Sequence, residues 1–211
     1  MGSRTPITNA VARLSADGFV AYPTETVWGL GACADRPRAI ERLTIWKRRS
    51  NDAPLAVLVA SIDAALELGC EVDEAARRLM ETFWPGPLTL VVPCRKRFAM
   101  GVARADGALG LRCSSHPLAN ELVVAIGEAG LGPLTSTSLN RAGEPPARDL
   151  NAAVAQIEEN ADDELGSPLL ISALGQDAGG STPSSVVDCT GRVPKIVRAG
   201  AIERESLEAF F

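Results

Sequence analysis

Apolar residues recur at helical spacing in some segments of this chain and form short continuous runs in others. The helical pattern begins with Ile7, Val11 and Leu14 and returns six times. The later segments cover residues 38–49, 61–68, 73–83, 117–126, 151–159 and 203–210. Asp35 precedes Pro37 at the start of the second helical segment and is predicted to cap it, because Asp is a favoured capping residue. The pattern therefore predicts seven helices.

Strand-like runs occupy the intervals between these helices. They cover residues 19–22, 27–30, 55–60, 88–92, 109–113, 134–138, 169–172, 185–189 and 195–198. Several runs follow one another with no helix between them, which disfavours a strictly repeating parallel βαβ fold. We predict the α/β (α+β) class, with helices packed on a mixed sheet. The Gly- and Ser-rich segment 175–185 is predicted to be a loop.

The composition narrows the class of protein further. Hydrophobic residues make up 46% of the 211 residues and charged residues 22%, which is typical of a soluble globular protein of one domain. No apolar run approaches the roughly 18 residues that suggest a membrane span, and no apolar signal segment begins the chain. We therefore predict a cytoplasmic location and no membrane association. A net charge of −5 and 4% aromatic residues disfavour nucleic-acid binding as the main function.

The cysteines give no indication of a metal or disulfide framework. Five of them are scattered along the chain, none in a Cys-x-x-Cys pair, and His116 is the single histidine. This set makes a zinc site improbable and predicts reduced thiols, so we predict no metal ligands. His116 precedes Pro117 at a predicted helix start, and no nucleophile accompanies it. We predict a structural role for it.

Two short polar pairs are the strongest candidates for chemistry. Lys47-x-Arg49 closes the second helical segment, and Ser138-x-Asn140 ends a strand-like run. The first pair offers fixed positive charge, and the second offers short hydrogen-bonding groups. This combination suits an anion such as a nucleotide phosphate or a carboxylate.

Three further residues are weaker candidates. Thr24 leaves a strand in the segment Tyr-Pro-Thr-Glu-Thr, and strand ends in α/β folds are where ligands bind. Taken alone, this segment is better explained by a proline-initiated turn with threonine chosen for its strand propensity. Arg112 and Arg198 lie near strand ends among apolar residues, where a buried guanidinium needs an anionic partner. That partner is either a ligand or an Asp or Glu of the chain itself.

Two glycine-containing segments match nucleotide motifs only in part. Gly29-x-Gly31-x-x-Ala34 has the spacing of a dinucleotide fingerprint, but no helix follows it directly, so we predict no Rossmann site. The loop 177–185 could hold phosphate through backbone amides, or it could be a plain connector.

Taken in order, the segments resemble the YrdC-like family of threonylcarbamoyl-AMP synthases. The matching pieces are Y-P-T-E-T-V-W-G-L-G (22–31), K-R-R-x-x-x-x-P-L (47–55), F-W-P-G-P-L-T-L-V (83–91), L-R-x-x-x-H-P (111–117), P-L-T-S-T-S-L-N-R-A-G (133–143), P-S-S-V-V-D (183–188) and I-V-R-A-G-A-I (196–202). The resemblance implies a single YrdC-like domain over residues 7–209, of the short form without the extra C-terminal domain. It also implies a twisted mixed sheet with helices around a concave cavity.

The same resemblance implies a nucleotidyltransferase, an L-threonylcarbamoyladenylate synthase. Threonine and bicarbonate would give an N-carboxylated threonine that attacks the α-phosphate of ATP, with Mg²⁺ accompanying the triphosphate. The products would be threonylcarbamoyl-AMP and pyrophosphate. The adenylate would serve threonylcarbamoylation of adenosine 37 in tRNA (t6A37) through a downstream transferase complex. Direct tRNA binding would be weak or absent.

Site roles follow from the resemblance as well. Lys47 and Arg49 would be catalytic and bind ATP, and Thr24 and Arg112 would bind threonine. The remaining ATP contacts would come from Arg112, Ser138, Asn140, Ser185 and Arg198. The chain departs from the family pattern at three positions. Ser50 stands where the family usually has Pro, and Leu139 stands where it usually has Ala. Leu58 stands where some members have His. Leu139 would place a bulky side chain beside the nucleotide residues, and Leu58 would alter the surroundings that select threonine.

Two alternatives stay open. One is a paralogue that acts on another carbamoylated or carboxylated amine. The other is an RNA-binding module, which the acidic net charge and the few aromatic residues disfavour.

Overall fold

A computed structural model describes residues 4–50, 53–162, 166–173 and 180–211. The helices in these ranges are α1 (Arg4–Ser15), α2 (Pro37–Lys47), α3 (Ile62–Glu67), α4 (Glu74–Phe83), α5 (Pro117–Glu128), α6 (Leu150–Glu159) and α7 (Arg204–Glu208). The strands are β1 (Val20–Tyr22), β2 (Gly29–Gly31), β3 (Ala56–Leu58), β4 (Leu88–Pro93), β5 (Ala108–Arg112), β6 (Leu134–Ser138), β7 (Leu169–Leu170), β8 (Ser185–Asp188) and β9 (Lys195–Arg198). No helix in the described ranges is long and apolar enough to cross a bilayer.

All nine described strands form one mixed sheet, in the order β7-β1-β2-β6-β3-β5-β4-β8-β9. Three neighbouring pairs are parallel, namely β1 with β7, β3 with β5 and β4 with β8. The other five pairs are antiparallel. The predicted mixed sheet with packed helices is therefore confirmed. Of the predicted loop 175–185, residues 175–179 lie outside the described ranges, and Ser185 already belongs to β8.

Side chains cap α3 and α4, whereas the residue predicted to cap α2 does not do so. The side chains of Ser61 and Asp73 cap α3 and α4 by accepting hydrogen bonds from backbone N–H groups. The prediction that Asp35 caps α2 is wrong. Arg36 holds the capping position without a side-chain bond, and the Asp35 carboxylate instead pairs with Lys96 at 2.7 Å.

The partial dinucleotide motif has a structural explanation. Gly29 and Gly31 lie in β2, which pairs with β1 on one side and β6 on the other. A Cβ atom at Gly31 would stand 2.3 Å from the carbonyl oxygen of Thr135 on β6. The glycine is therefore needed for close strand packing, and no helix N-terminus follows it to hold a pyrophosphate.

The two faces of the sheet are covered differently. The larger hydrophobic core lies on one face, where α2 and α4 pack onto alternate strand residues such as Leu90, Leu109 and Leu111. A smaller cluster lies on the other face, where α1 and α5 cover Leu58 and Leu134. Because α1 and α5 cover only part of this second face, the rest is open.

The open part of the second face forms a cavity of about 460 Å³. Its floor consists of every second residue of the central strands, since side chains alternate between the two faces. These floor residues are Ala56 of β3, Thr89 and Val91 of β4, Ala108, Gly110 and Arg112 of β5, Ser136 and Ser138 of β6, and Val186 and Asp188 of β8. Small side chains at Ala56, Ala108 and Gly110 leave the volume unfilled.

Candidate active site

Among the described residues, four arginines line the cavity: Arg49, Arg104, Arg112 and Arg198. Carboxylates neutralise two of them. Arg104 pairs with Asp106 and Asp188, each at 2.6 Å, and Arg112 pairs with Glu25 at 2.8 Å. The sequence left open whether Arg112 meets a carboxylate of the chain, and the structure shows that it does.

The other two arginines have no carboxylate partner within the described part of the chain. Arg49 donates hydrogen bonds to the carbonyl oxygens of Ala53 and Pro54, at 3.1 and 2.9 Å. Arg198 donates to the carbonyl oxygen and the hydroxyl of Ser184, at 3.0 and 3.1 Å. These contacts fix both guanidinium groups in place but leave their positive charges uncompensated.

The arginines also repel one another. Burial lowers the pKa of Arg49, and the charge of Arg198 lowers it further. Burial likewise lowers the pKa of Arg198, and the charge of Arg112 acts in the same direction. An anion bound between the cations would offset this repulsion, so the cavity is suited to an anionic ligand.

Arg112 is almost fully buried and held by the loop after β1. One of its terminal nitrogens donates to Glu25 at 2.8 Å and to the Thr26 hydroxyl at 2.7 Å, with a longer contact of 3.4 Å to Thr24. Its Nε atom is buried and has no hydrogen-bond partner among the described residues. An unpaired buried donor is costly, so this atom is an energetic cost of holding Arg112 at the cavity floor.

Glu25 is the counter-charge that holds Arg112. Burial raises the pKa of this carboxyl, but the charge of Arg112 and hydrogen bonds from Arg112 and Ser114 outweigh it, and the pKa lies below its ordinary value. Its contribution to stability is therefore present above about pH 4.3 and is lost as the pH falls through the folded-state pKa. Above that range Glu25 keeps Arg112 oriented at the cavity floor.

Lys47 is buried and does not line the cavity. It is the last residue of α2, and its Nζ atom donates to the carbonyl oxygens of Ser138 and Asn140 and to Asn140 Oδ1, at 2.6, 2.9 and 3.0 Å. Three acceptors match the three N–H groups of an ammonium ion. Burial lowers the pKa of Lys47 to about 7, and Arg49 adds to this while Glu144 opposes it.

The two members of the second polar pair have different positions. Ser138 lines the cavity, and its hydroxyl donates to Asn140 Oδ1 at 2.5 Å. Asn140 lies behind it, with its amide nitrogen donating to the carbonyl oxygens of Arg141 and Glu144 at 2.8 and 2.7 Å. The expected crowding by Leu139 does not occur, because its side chain is buried in the larger core.

Thr24 and Ser185 do not line the cavity. Thr24 is buried in the loop, where its hydroxyl donates to the Val27 carbonyl oxygen at 2.7 Å and contacts Arg112. The Ser185 hydroxyl bonds the backbone N–H and carbonyl of Ile202, both at 3.1 Å. Ser185 lies on the core face of β8, one residue out of phase with the cavity-lining Val186 and Asp188.

Sequence reasoning missed the neighbouring Ser184, which lines the cavity and holds Arg198. It also missed Ser136 and Thr89. The alternation of side chains along a strand could have identified Ser136, because it lies two residues before Ser138 and therefore on the same face of β6. His116 has the predicted structural role: its Nδ1 accepts from the Leu118 N–H at the start of α5.

The two adjacent serines give a matched test of this assignment. We expect Ser184→Ala to weaken anion binding several-fold and to lower the free energy of unfolding by about 1 kcal/mol, because its buried hydroxyl contacts both Arg198 and Thr89. We expect Ser185→Ala to lower the free energy of unfolding by about 1–2 kcal/mol, because two buried backbone groups of Ile202 lose their partner. Urea unfolding and nucleotide titration of both variants measure this. Weaker anion binding in Ser185→Ala and unchanged binding in Ser184→Ala would show that Ser185, not Ser184, contributes to the site.

The open sheet face and its arginine-lined cavity define an α/β protein built to bind an anionic ligand of nucleotide size. Residues 12–200 match the family model Sua5_yciO_yrdC, described as "Telomere recombination". The chain belongs to this family, as its sequence motifs predict.

Curated relatives and solved structures support the same assignment. Threonylcarbamoyl-AMP synthase of Bacillus subtilis is 34% identical over 96% of this chain, and the chain spans 56% of that relative's length. A putative threonylcarbamoyl-AMP synthase of Mycobacterium tuberculosis is 33% identical, with 95% of this chain and 87% of the relative covered. The crystal structure of P. abyssi Sua5 complexed with L-threonine superposes with a TM-score of 0.84 at 28% identity, covering 97% of this chain and 56% of that one. The YrdC-like fold is therefore confirmed.

Proposed function

We propose that this protein is a nucleotidyltransferase that forms threonylcarbamoyl-AMP and pyrophosphate from L-threonine, bicarbonate and MgATP. The observation that carries the proposal is the pair of uncompensated guanidinium groups, Arg49 and Arg198, which line one cavity together with Arg112. These groups meet at one cavity in a member of a family whose curated relatives bear the synthase name. The volume of about 460 Å³ lies in the range of small-molecule sites.

In the proposed reaction the carbamate of threonine attacks the α-phosphate of ATP and pyrophosphate leaves. Negative charge increases on the leaving oxygens, and fixed guanidinium groups stabilise it without reorganising. In this proposal Arg49 and Arg198, which line the cavity and have no carboxylate partner among the described residues, take that role. Arg112 presents a donor for the threonine carboxylate or the α-phosphate. Much of the acceleration would come from holding carbamate and phosphate together, so the reaction needs no protein nucleophile.

Lys47, Ser138 and Asn140 act as one unit in this proposal. Lys47 adds positive potential from behind the cavity wall and fixes the chain at the end of β6. Ser138 is the member that can meet a phosphate or ribose oxygen, because it lines the cavity. Magnesium enters as part of the MgATP substrate, held mainly by phosphate oxygens and water.

Pyrophosphate release tests the proposal directly. Threonine, bicarbonate and MgATP are supplied one by one and together, and the adenylate is identified by mass. We expect release only with all three. Release with another amine in place of threonine would favour the paralogue reading. Absence of adenylate with all three substrates, despite tight ATP binding, would overturn the proposal, and RNA binding without ATP binding would favour the RNA-binding module.

The proposed product is an activated adenylate that reacts with water, so it has to pass to a tRNA-modifying transferase soon after release. We propose such a transferase complex as the downstream partner and the cytoplasm as the location, because tRNA and ATP are both available there. A pull-down with the transferase of the same cell, in the presence and absence of product, tests the partner.

The pKa of Lys47 predicts a pH dependence of substrate binding. With a pKa lowered to about 7, chiefly because burial disfavours the cation, the side chain passes gradually from ammonium ion to neutral amine as the pH rises through neutrality. We expect MgATP affinity to fall roughly tenfold between pH 6 and pH 8.5, with a midpoint of about 7. Lys47→Met should bind weakly with a flat profile. An equal slope in both proteins would assign the titration to another group.

A further inference from the structure

Two cysteines that are 24 positions apart meet outside the cavity. Cys70 lies just after α3, and Cys94 directly follows β4. Their residues form an isolated antiparallel bridge, flanked by hydrogen bonds from the Glu71 N–H to the Pro93 carbonyl (2.8 Å) and from the Arg95 N–H to the Gly69 carbonyl (3.0 Å). This is the non-hydrogen-bonded type of pair, in which opposite side chains are closest.

The two thiols are in direct contact. The Sγ atoms are 2.8 Å apart, and Cys94 Sγ also lies 3.6 Å from the Leu68 carbonyl oxygen. In a non-hydrogen-bonded pair the Cα atoms are about 4.5 Å apart, within the range that a disulfide bridges without backbone movement. Cys70 is buried, whereas Cys94 is partly exposed and can meet a reagent in solution.

From this pairing we infer that Cys70 and Cys94 are a redox-modification site, which a low-molecular-weight disulfide such as oxidised glutathione converts to an intramolecular disulfide. The Cys94 thiolate attacks one sulfur of the oxidant and releases one equivalent of reduced thiol. Cys70 then loses its proton, attacks the Cys94 sulfur of the mixed disulfide and releases the second equivalent. Two protein thiols are oxidised, and one disulfide is reduced to two thiols.

The other three cysteines lack this arrangement in the described part of the chain. Cys33 and Cys113 are buried and contact backbone carbonyl oxygens of Leu14 and Ala60. Cys189 is buried in the larger core. Burial raises the pKa of these three thiols, to about 11 for Cys33 and Cys113 and about 12 for Cys189, and burial and the neighbouring Cys94 raise the pKa of Cys70 as well. The pair is distinguished by its geometry, because Cys70 has a second thiol in direct contact and the Cys94 thiol beside it is partly exposed.

A bond at this position would fasten the α3–α4 connection to the end of β4. Closing a loop of this length restricts the unfolded chain, and we expect oxidation to raise Tm by roughly 5–10 °C. Neither cysteine lines the cavity. The inference therefore does not depend on the proposed reaction, and its test needs no activity measurement.

The experiment treats the full chain with oxidised glutathione, blocks remaining thiols in denaturant, and maps tryptic peptides without reduction. Cys70 and Cys94 fall on separate peptides, residues 50–77 and 79–95, each with one cysteine. We expect a linked peptide, a fall from five titratable thiols to three, the higher Tm, and reversal of all three by dithiothreitol. Cys94→Ser should give no linked peptide and keep its four thiols, and Cys113→Ala should give the linked peptide, the higher Tm and a fall from four thiols to two.

Two outcomes would overturn the inference. One is a stable glutathione adduct on Cys94 without a linked peptide, which would show that Cys70 cannot resolve the mixed disulfide. The other is a protein that retains five free thiols after oxidation while its melting curve shows a folded chain. Either result would leave the pair as a packing contact.

Discussion

Replacing Lys47 with methionine is expected to lower the rate of adenylate formation at least 100-fold and the free energy of unfolding by roughly 1–3 kcal/mol. The three oxygens that Nζ contacts, on Ser138 and Asn140, would lose their donor. The loss in the free energy of unfolding is partly offset, because the substitution also removes a buried positive charge that burial already disfavours. The activity loss should therefore exceed what the stability change explains.

The neighbouring basic residue provides a matched control. Arg48 is exposed at the end of α2, and it has a left-handed backbone that both arginine and methionine adopt equally poorly. Arg48→Met should change stability by less than about 0.5 kcal/mol and leave the reaction rate within a factor of about two. Pyrophosphate release and urea unfolding of both variants provide the comparison. Equal losses in the two proteins would contradict a specific role for Lys47.

Replacing Arg112 with methionine is expected to abolish the reaction and to destabilise the fold by roughly 2–4 kcal/mol. The larger part of the stability loss comes from Glu25, a largely buried carboxylate that would lose its counter-charge. Because the Glu25 side chain keeps some solvent exposure, we expect a smaller loss of stability than for a fully buried ion pair. The activity loss comes from removing the guanidinium at the cavity floor.

A double variant separates these two effects. Arg112→Met with Glu25→Gln has no unpaired charge, so we expect most of the stability to return while the reaction stays absent. In the single variant, Glu25 without Arg112 should have a raised pKa, and its destabilisation should shrink as the pH falls and the carboxyl becomes protonated. Urea unfolding at pH 5 and pH 7.5 measures this. A double variant that regains activity would show that Arg112 serves only to neutralise Glu25.

The sequence predicted the elements well because their signals are local. Periodicity located the helices, and the caps at Ser61 and Asp73 mark helix starts where the side chain bonds the adjacent backbone. The mixed character of the sheet followed from strand runs that adjoin without helices. The Lys47 and Ser138 pairs also met in space, although they are 91 positions apart.

What the sequence could not supply was the orientation of individual side chains. Ser184 and Ser185 are chemically identical neighbours, and only the register of β8 decides which one meets the cavity. Lys47 was expected to contact ligand, yet its Nζ donates to the main-chain oxygens of Ser138 and Asn140 and to the side-chain oxygen of Asn140. The contact between Cys70 and Cys94 depends on a short backbone pairing outside the named strands. Each of these features is set by long-range packing.

The cavity floor is built from alternate residues of five strands joined by backbone hydrogen bonds, and this has a consequence for binding. Such a floor is preorganised: Arg112 on β5 is held in position before any ligand arrives, so little of its conformational entropy is lost when substrates bind. The free energy that orders the site is supplied during folding. Affinity should therefore depend on the rigidity of the whole sheet, and substitutions that loosen distant strands should increase substrate dissociation rates without touching the ligand.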